Sequence, residues 1–384
     1  MLSIKDIKIN NKILLIRSDF NVPIKNNKIL SDIKILDSLE TIKYALSNKA
    51  YIIIFSNLGD NYNKYFPLFS LEIIKKYLEK KLKVKINLIK NYLYKKNINV
   101  KKNEIYLLEN VMFNNGEIKN NENLSKKYAS LCDIFVMDSF SYSFMFHSST
   151  YGVAKFAKIS CCGLSFYKKA NNLYTIFNQN RKIVSIIGGC NINKKILFIK
   201  KISIISYKIF IGGVIANDLL LFNNYKIGKS IIDYDINDNN NKNNSLEDLN
   251  NIILPNDVKT SINISKNSIC KNKLINNINS NDIIVDLGSK YIKNIIDNIE
   301  NIDILLWIGS IGIFEISNFS NGTKLILDNI SKNKNLKSII VGYSNFISLK
   351  KFNYIKKIYF YYIDSYTLFK FIENFNIPII KYFT

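Results

Sequence analysis

A chain of 384 residues with a formal net charge of +24 is longer than one ordinary domain, and two domains of about 150 to 200 residues are expected. No secretory start and no uncharged apolar stretch of about 18 residues is seen. The five cysteines, Cys132, Cys161, Cys162, Cys190 and Cys270, lack zinc-ligand spacing, so a soluble cytoplasmic protein with buried free thiols is expected and a disulfide scaffold is excluded. The charge is almost all lysine, with Arg17 and Arg181 the two arginines, beside an excess of Ile, Asn, Tyr and Phe. A/T-rich codons account for that inventory, and the lysines are spread along the chain, so neither a nucleic-acid nor a membrane partner is expected.

Taken in order, the first element is Ile13–Ile16, four apolar residues that run into a turn carrying Asp19 and Asn21. In an open parallel sheet, ligands sit outside the carboxyl ends of the strands, which places Asp19 and Asn21 where a substrate would be held. A strand followed by an Asx turn and stopped by Pro23 accounts for the same residues without a ligand. Further runs predict strands at Tyr51–Phe55, Ile105–Leu108 and Ile134–Met137. Between them, Ser70 is placed to cap a helix that has Glu72 in its first turn.

Residues 163–179 read as a helix, after which the strand pattern restarts at Ile183, and this marks the domain junction. Runs at Ile209–Ile211, Ile283–Leu287, Ile304–Trp307 and Ile339–Val341 each lead to glycine, the pattern of a strand opening into a phosphate-cradling helix. The alternation predicts βαβ units with parallel sheets. The Asn-rich tract Asp233–Asn251 is read as a mobile surface loop. Gly228-Lys229-Ser230 looks like the end of a P-loop but has Asn223 where that motif needs glycine, so it reads as a structural turn.

The ordered motifs Arg17-Ser18-Asp19-Phe20-Asn21-Val22-Pro23, Leu107-Leu108-Glu109-Asn110-Val111, Ser149-Thr150-Tyr151-Gly152, Leu254-Pro255-Asn256-Asp257 and Gly312-Ile313-Phe314-Glu315 resemble phosphoglycerate kinase over essentially the whole chain. The resemblance implies an α/β fold of two Rossmann-like parallel-sheet domains joined by a hinge helix. The expected boundaries are 1–162 for a phosphoglycerate-binding domain, 163–181 for the interdomain helix, 182–362 for a nucleotide-binding domain, and 363–384 for a tail returning to the first. It also implies a monomer that transfers a phosphoryl group between ATP and the carboxylate of 3-phosphoglycerate, forming ATP from ADP and 1,3-bisphosphoglycerate in glycolysis. The resemblance further implies a need for Mg²⁺ and no covalent enzyme intermediate.

By the same resemblance, Asp19 and Asn21 contact the glycerate hydroxyl and carboxylate, and Gly59 keeps the glycine of the family's Ser-His-Leu-Gly-Arg loop. Lys195 reaches the nucleotide phosphates, Gly212 and Gly213 begin the adenine-side loop, Glu315 holds the ribose hydroxyls, and Gly342 opens the loop that carries the family's Mg²⁺-associated aspartate. Lys34 stands where the family has an essential arginine. It keeps the charge without the bidentate fork and is the candidate catalytic group.

Much of the family's basic patch is absent. The loop histidine and arginine are Asn57 and Asp60, a further arginine is Met112, and a His-Arg pair is Phe144-Met145. On the nucleotide side a lysine is Asn191, the Mg²⁺-associated aspartate is Ser344, and a triple-glycine loop reads Ile363-Asp364-Ser365-Tyr366. No protein metal ligand is assigned, and the single histidine, His147, reads as structural. Two functions stay open: a kinase of much reduced activity in which Lys34, Lys194, Lys195 and Lys290 partly replace lost arginines, and a non-catalytic descendant with weak nucleotide binding or an interaction role.

Overall fold

The computed structural model describes residues 1–59, 63–94, 98–177, 181–233, 249–362 and 365–383, with Asn193 and Lys194 described by backbone alone. Asp60, most of the Asn-rich tract, the side chain of Lys194, and Ile363 and Asp364 lie outside the described residues. The chain divides into two compact units, Met1–Thr175 with Asn374–Thr384, and Ile176–Glu373.

In the first unit, β1 (Ile13–Arg17) is followed by the short hairpin β2 (Ile24–Lys25) and β3 (Lys28–Ile29), α1 (Ile33–Ser47), β4 (Tyr51–Phe55), α2 (Glu72–Leu82), β5 (Lys85–Ile89) and β6 (Glu104–Leu108). Then come α3 (Glu122–Ala129), β7 (Ile134–Met137), α4 (Val153–Phe156), β8 (Ser160–Cys162) and α5 (Leu164–Phe177), which runs across the boundary. Six strands form a sheet in the order β5-β6-β4-β1-β7-β8, and every pairing in it is parallel. Such strands are covered on both faces, which is why Leu14, Leu15 and Ile16 are all buried. Helix α1 buries Ile35, Leu39 and Ile42, at helical spacing, against that core.

The second unit contains β9 (Ile183–Ile187), α6 (Ile192–Ile205), β10 (Ser206–Ile211), α7 (Gly213–Phe222), β11 (Ile252–Ile253), β12 (Asp257–Ser261), β13 (Lys271–Leu274) and β14 (Ile283–Leu287). It continues with α8 (Ser289–Ile299), β15 (Ile304–Ile308), α9 (Asn321–Lys332), β16 (Lys337–Val341), α10 (Tyr343–Lys351), β17 (Phe360–Tyr362) and α11 (Ser365–Asn374). A second six-stranded parallel sheet has the order β11-β10-β9-β15-β16-β17. In both sheets the first strand of the unit has chain neighbours leaving to either side, so a topological switch point lies at the carboxyl end of β1 and of β9.

Three expectations change. The run Ile283–Leu287 is a strand of a separate antiparallel sheet, β13-β12-β14, and not of the parallel one, since a short apolar run does not disclose its partner. The glycine after it opens α8, but the helix start is filled from within: Asp257 accepts hydrogen bonds from the Lys290 and Tyr291 amides at 3.0 and 2.8 Å. At α2, Ser70 lies just outside the helix and its hydroxyl accepts from the Glu72 amide at 3.4 Å, while Glu109 accepts from the Leu71 amide and the Ser70 hydroxyl, both at 2.8 Å. The Glu109 and Asp257 landmarks are thus helix-start acceptors, favoured there by the helix dipole. Finally, the returning segment begins at Asn374 and not at 363. Helix α11 stays with the second unit, where Phe371 packs on Phe177 and Phe369 on Phe198, at ring separations of 5.8 and 4.1 Å.

Candidate functional site

At the carboxyl end of β1, the buried guanidinium of Arg17 gathers the loops that follow three strands, β1, β4 and β7. It donates to the Ser149 hydroxyl at 3.1 Å, to the Ser18 carbonyl at 2.6 Å and to the Asn57 side-chain oxygen at 2.9 Å, and the ring of Tyr142 lies across its face, 4.8 Å from the centroid. Ser149 in turn donates to the buried Glu117. Burial pushes the Glu117 carboxyl up, with the Ser149 hydrogen bonds and the Arg17 charge opposing.

Asp19 and Lys34 form an ion pair at 3.1 Å. Burial alone would raise the Asp19 carboxyl, but the Lys34 charge, hydrogen bonds from Ser141 and Lys34, and the Arg17 charge outweigh it and hold the group below its ordinary range. Asn21 accepts from the Gly59 amide at 3.0 Å and donates to the Tyr142 hydroxyl at 3.3 Å. Gly59 has φ +66°, and a Cβ there would lie 2.5 Å from the Phe69 ring. Asp19, Asn21, Lys34 and Gly59 therefore share one linked site.

Around them, Met112 and Phe144 are buried apolar groups. His147 packs near Tyr142, and burial and the Arg17 charge push its imidazole down to about 4. Tyr142 is an organising residue that sequence reasoning passed over, whereas Arg17 stood out as one of two arginines and as the start of a family motif but was given no role.

At the switch point of the second sheet, three glycine turns meet through their backbones. The Gly189 amide donates to the Ser310 carbonyl at 2.6 Å and the Gly213 amide to the Ile311 carbonyl at 3.1 Å, while Gly189, Gly213 and Gly309 have φ of +79°, +63° and +75°. A Cβ on Gly213 would lie 2.5 Å from the Ser310 oxygen. Over this cluster Lys195 donates its ammonium to the Gly188 carbonyl at 2.9 Å. Burial pushes the Lys195 amine down, with Cys190 and Asp233 opposing.

A cavity of about 240 Å³ is lined by Gly189, Gly213, Asn217, Asp286, Gly312 and Glu315, among others. Gly212 packs on Ile311 beside it. Gly342, φ +107°, precedes α10, and a Cβ there would lie 3.8 Å from the Gly309 amide nitrogen. Cys190, expected to be buried, is exposed and lines this cavity, whereas Cys161 and Cys162 are buried. Asn217 donates to the Ile231 carbonyl at 2.8 Å. It was missed because nothing in the sequence around it marks a site.

Asp286 has a buried carboxyl that accepts the Gly322 and Leu287 amides, and burial, opposed by those bonds, pushes it up to about 7 from an ordinary 3.8. Between those two values the unfolded chain has lost a proton that the folded chain keeps, so this group makes stability fall as pH rises through the window. Asp286→Asn is expected to flatten that fall in urea midpoints measured from pH 4 to 8. An unchanged slope would contradict it.

With the geometry in place, comparison with known proteins decides the family. The chain matches the phosphoglycerate kinase family over residues 4–374. It is 41% identical to the phosphoglycerate kinase of Wigglesworthia glossinidia brevipalpis over 99% of this chain and 96% of that one. It is 42% identical to that of Buchnera aphidicola from Schizaphis graminum over 98% and 96%. The solved phosphoglycerate kinase of Coxiella burnetii superposes with a TM-score of 0.86 at 32% identity, covering 100% of this chain and 98% of that one. This chain belongs to the phosphoglycerate kinase family.

Within that family, it departs where phosphoglycerate kinase requires charge. The resemblance places the family's Mg²⁺-associated aspartate in the loop after β16. That loop offers the Ser344 hydroxyl and the buried Asn345 amide, which donates to the Val341 carbonyl at 3.1 Å. Mg²⁺ is usually held through one or two carboxylates together with phosphates. The loop supplies no carboxylate, and among the described residues no group of three or more His, Cys, Asp or Glu is placed to hold a metal. The residues do not fit a protein-held Mg²⁺. Among the described residues no helix is long and apolar enough to cross a membrane.

Proposed function

We propose that this chain catalyses reversible phosphoryl transfer between ATP and the carboxylate of 3-phosphoglycerate, far more slowly than a family member with a complete basic patch. In this reading the first unit takes the phosphoglycerate and the second the nucleotide, with Lys195, Gly212, Gly213, Glu315 and Gly342 on the nucleotide side and Asp19, Asn21, Lys34 and Gly59 on the other.

The observation that carries the reading is an asymmetry. The second unit keeps a tight glycine backbone cluster, an ammonium over it and an adjoining cavity, whereas in the first unit Lys34 is paired with Asp19 and two family arginine positions are the apolar Met112 and Met145. Phosphoryl transfer depends on positioning and on neutralising spread negative charge. Losing one transition-state donor costs about 10²–10³ in rate, and several are absent. Enclosure of Arg17 favours a second reading, a non-catalytic descendant that binds nucleotide.

A coupled assay for ATP formation from ADP and 1,3-bisphosphoglycerate, run beside an intact family member, separates the two. The first reading expects protein-dependent turnover at least about 10²-fold below that of the intact member. ADP binding without turnover selects the second, and absence of both overturns each.

A further inference from the structure

Arg17 is wholly buried, and its edge is committed to Ser149, Ser18 and Asn57. Its remaining approach is the face, and there the Tyr142 ring lies 4.8 Å away. The hydroxyl of the same tyrosine collects the amide groups of Asn21, at 3.3 Å, and of Asn57. One side chain thus uses a cation face and two neutral donors that an incoming anion would otherwise meet. A desolvated cation on an aromatic face is held by about 2 kcal/mol, so the arrangement is not displaced freely. Tyr142 is itself half-buried, the outer layer of the site, whereas Arg17 behind it is not accessible.

We propose that Tyr142 determines what the first unit's site accepts, standing as the site's own occupant over Arg17, Asn21 and Asn57. A phosphorylated hydroxy acid must turn this ring out before it reaches the three groups. The inference rests on the reading of the first unit as the phosphoglycerate side. It adds that weak acceptor binding comes from an inserted side chain as well as from missing arginines.

The test is calorimetric titration of 3-phosphoglycerate and, separately, of ADP into the full chain and its Tyr142→Thr and Tyr142→Phe variants. Removing the ring is expected to tighten 3-phosphoglycerate about tenfold or more, the scale of one regained hydrogen bond to a charged group. Keeping the ring without its hydroxyl frees the Asn21 and Asn57 amides while the face of Arg17 stays covered, and is expected to tighten 3-phosphoglycerate by less than the threonine variant does. ADP affinity, read in the other unit, is expected to be unchanged in both and verifies folding.

A threonine variant that folds and binds 3-phosphoglycerate no tighter overturns the inference. So does a phenylalanine variant that loses affinity, because the hydroxyl is then a ligand contact and not an occupant. The phenylalanine variant conserves volume and decides the matter even if the threonine variant fails to fold. The wild-type ATP-formation assay judges the underlying reaction independently of either outcome.

Discussion

Lys34→Ala is expected to abolish whatever ATP formation the chain supports, a loss of about 10²–10³ or more. Two effects act together. The developing phosphoryl charge loses the Lys34 ammonium, and Asp19 loses its ion-pair partner at 3.1 Å. Because burial raises the Asp19 carboxyl and Lys34 is the leading influence opposing it, the variant's Asp19 should titrate higher.

The sign follows from linkage. A carboxyl held below its unfolded value contributes stability above that value and loses it as pH falls through the folded one. Removing Lys34 therefore takes away stability at neutral pH and moves the acid-side loss upward. Lys34→Arg, which keeps the charge and adds a planar fork, should preserve or raise the activity. Initial rates and acid unfolding midpoints of the two variants check this, and full activity in Lys34→Ala would show that another group carries the charge.

Gly213→Ala is expected to abolish nucleotide binding and to destabilise the second unit by several kcal/mol. Gly213 has φ +63°, and its added Cβ would stand 2.5 Å from the Ser310 carbonyl oxygen and 2.7 Å from the Gly189 amide nitrogen. The left-handed conformation alone costs an L-residue roughly 1–2 kcal/mol, and the clash is with backbone, which cannot rotate away. Both neighbouring turns must part, and these turns position Lys195 and the cavity wall. Urea unfolding and ADP titration of the variant measure the two effects, and near wild-type values for both would mean the glycine cluster is not rigid.

Much of this architecture was legible because parallel strands write themselves as apolar runs. Ile13–Ile16 and Ile304–Trp307 needed no partner to be recognised, and the glycines after Ile187 and Ile211 marked turns of positive φ. Partnership was harder. Ile283–Leu287 carries the same apolar signature but joins an antiparallel sheet, and α11 has an amphipathic pattern that says nothing about which unit it packs on.

The role of the acidic landmarks was not legible for a different reason. Glu109 and Asp257 stand in the sequence only as parts of family motifs, and the structure shows that they close helix starts in other segments. The organising contacts of the first unit were beyond reach altogether, since Arg17 meets Ser149 across 132 residues and Asn57 meets Tyr142 across 85. No local pattern encodes a pairing at that separation, and an inserted tyrosine looks in sequence like any other in a tyrosine-rich chain.

In the proposed reading, the nucleotide side is better preserved than the acceptor side. Calorimetric titration of the wild-type chain with ADP and with 3-phosphoglycerate, under one set of conditions, tests this directly. The intact glycine cluster with Lys195 predicts that ADP binds at least about tenfold tighter, because each charged hydrogen bond missing on the acceptor side is worth about 1.5–3 kcal/mol. Tighter binding of 3-phosphoglycerate than of ADP would contradict it.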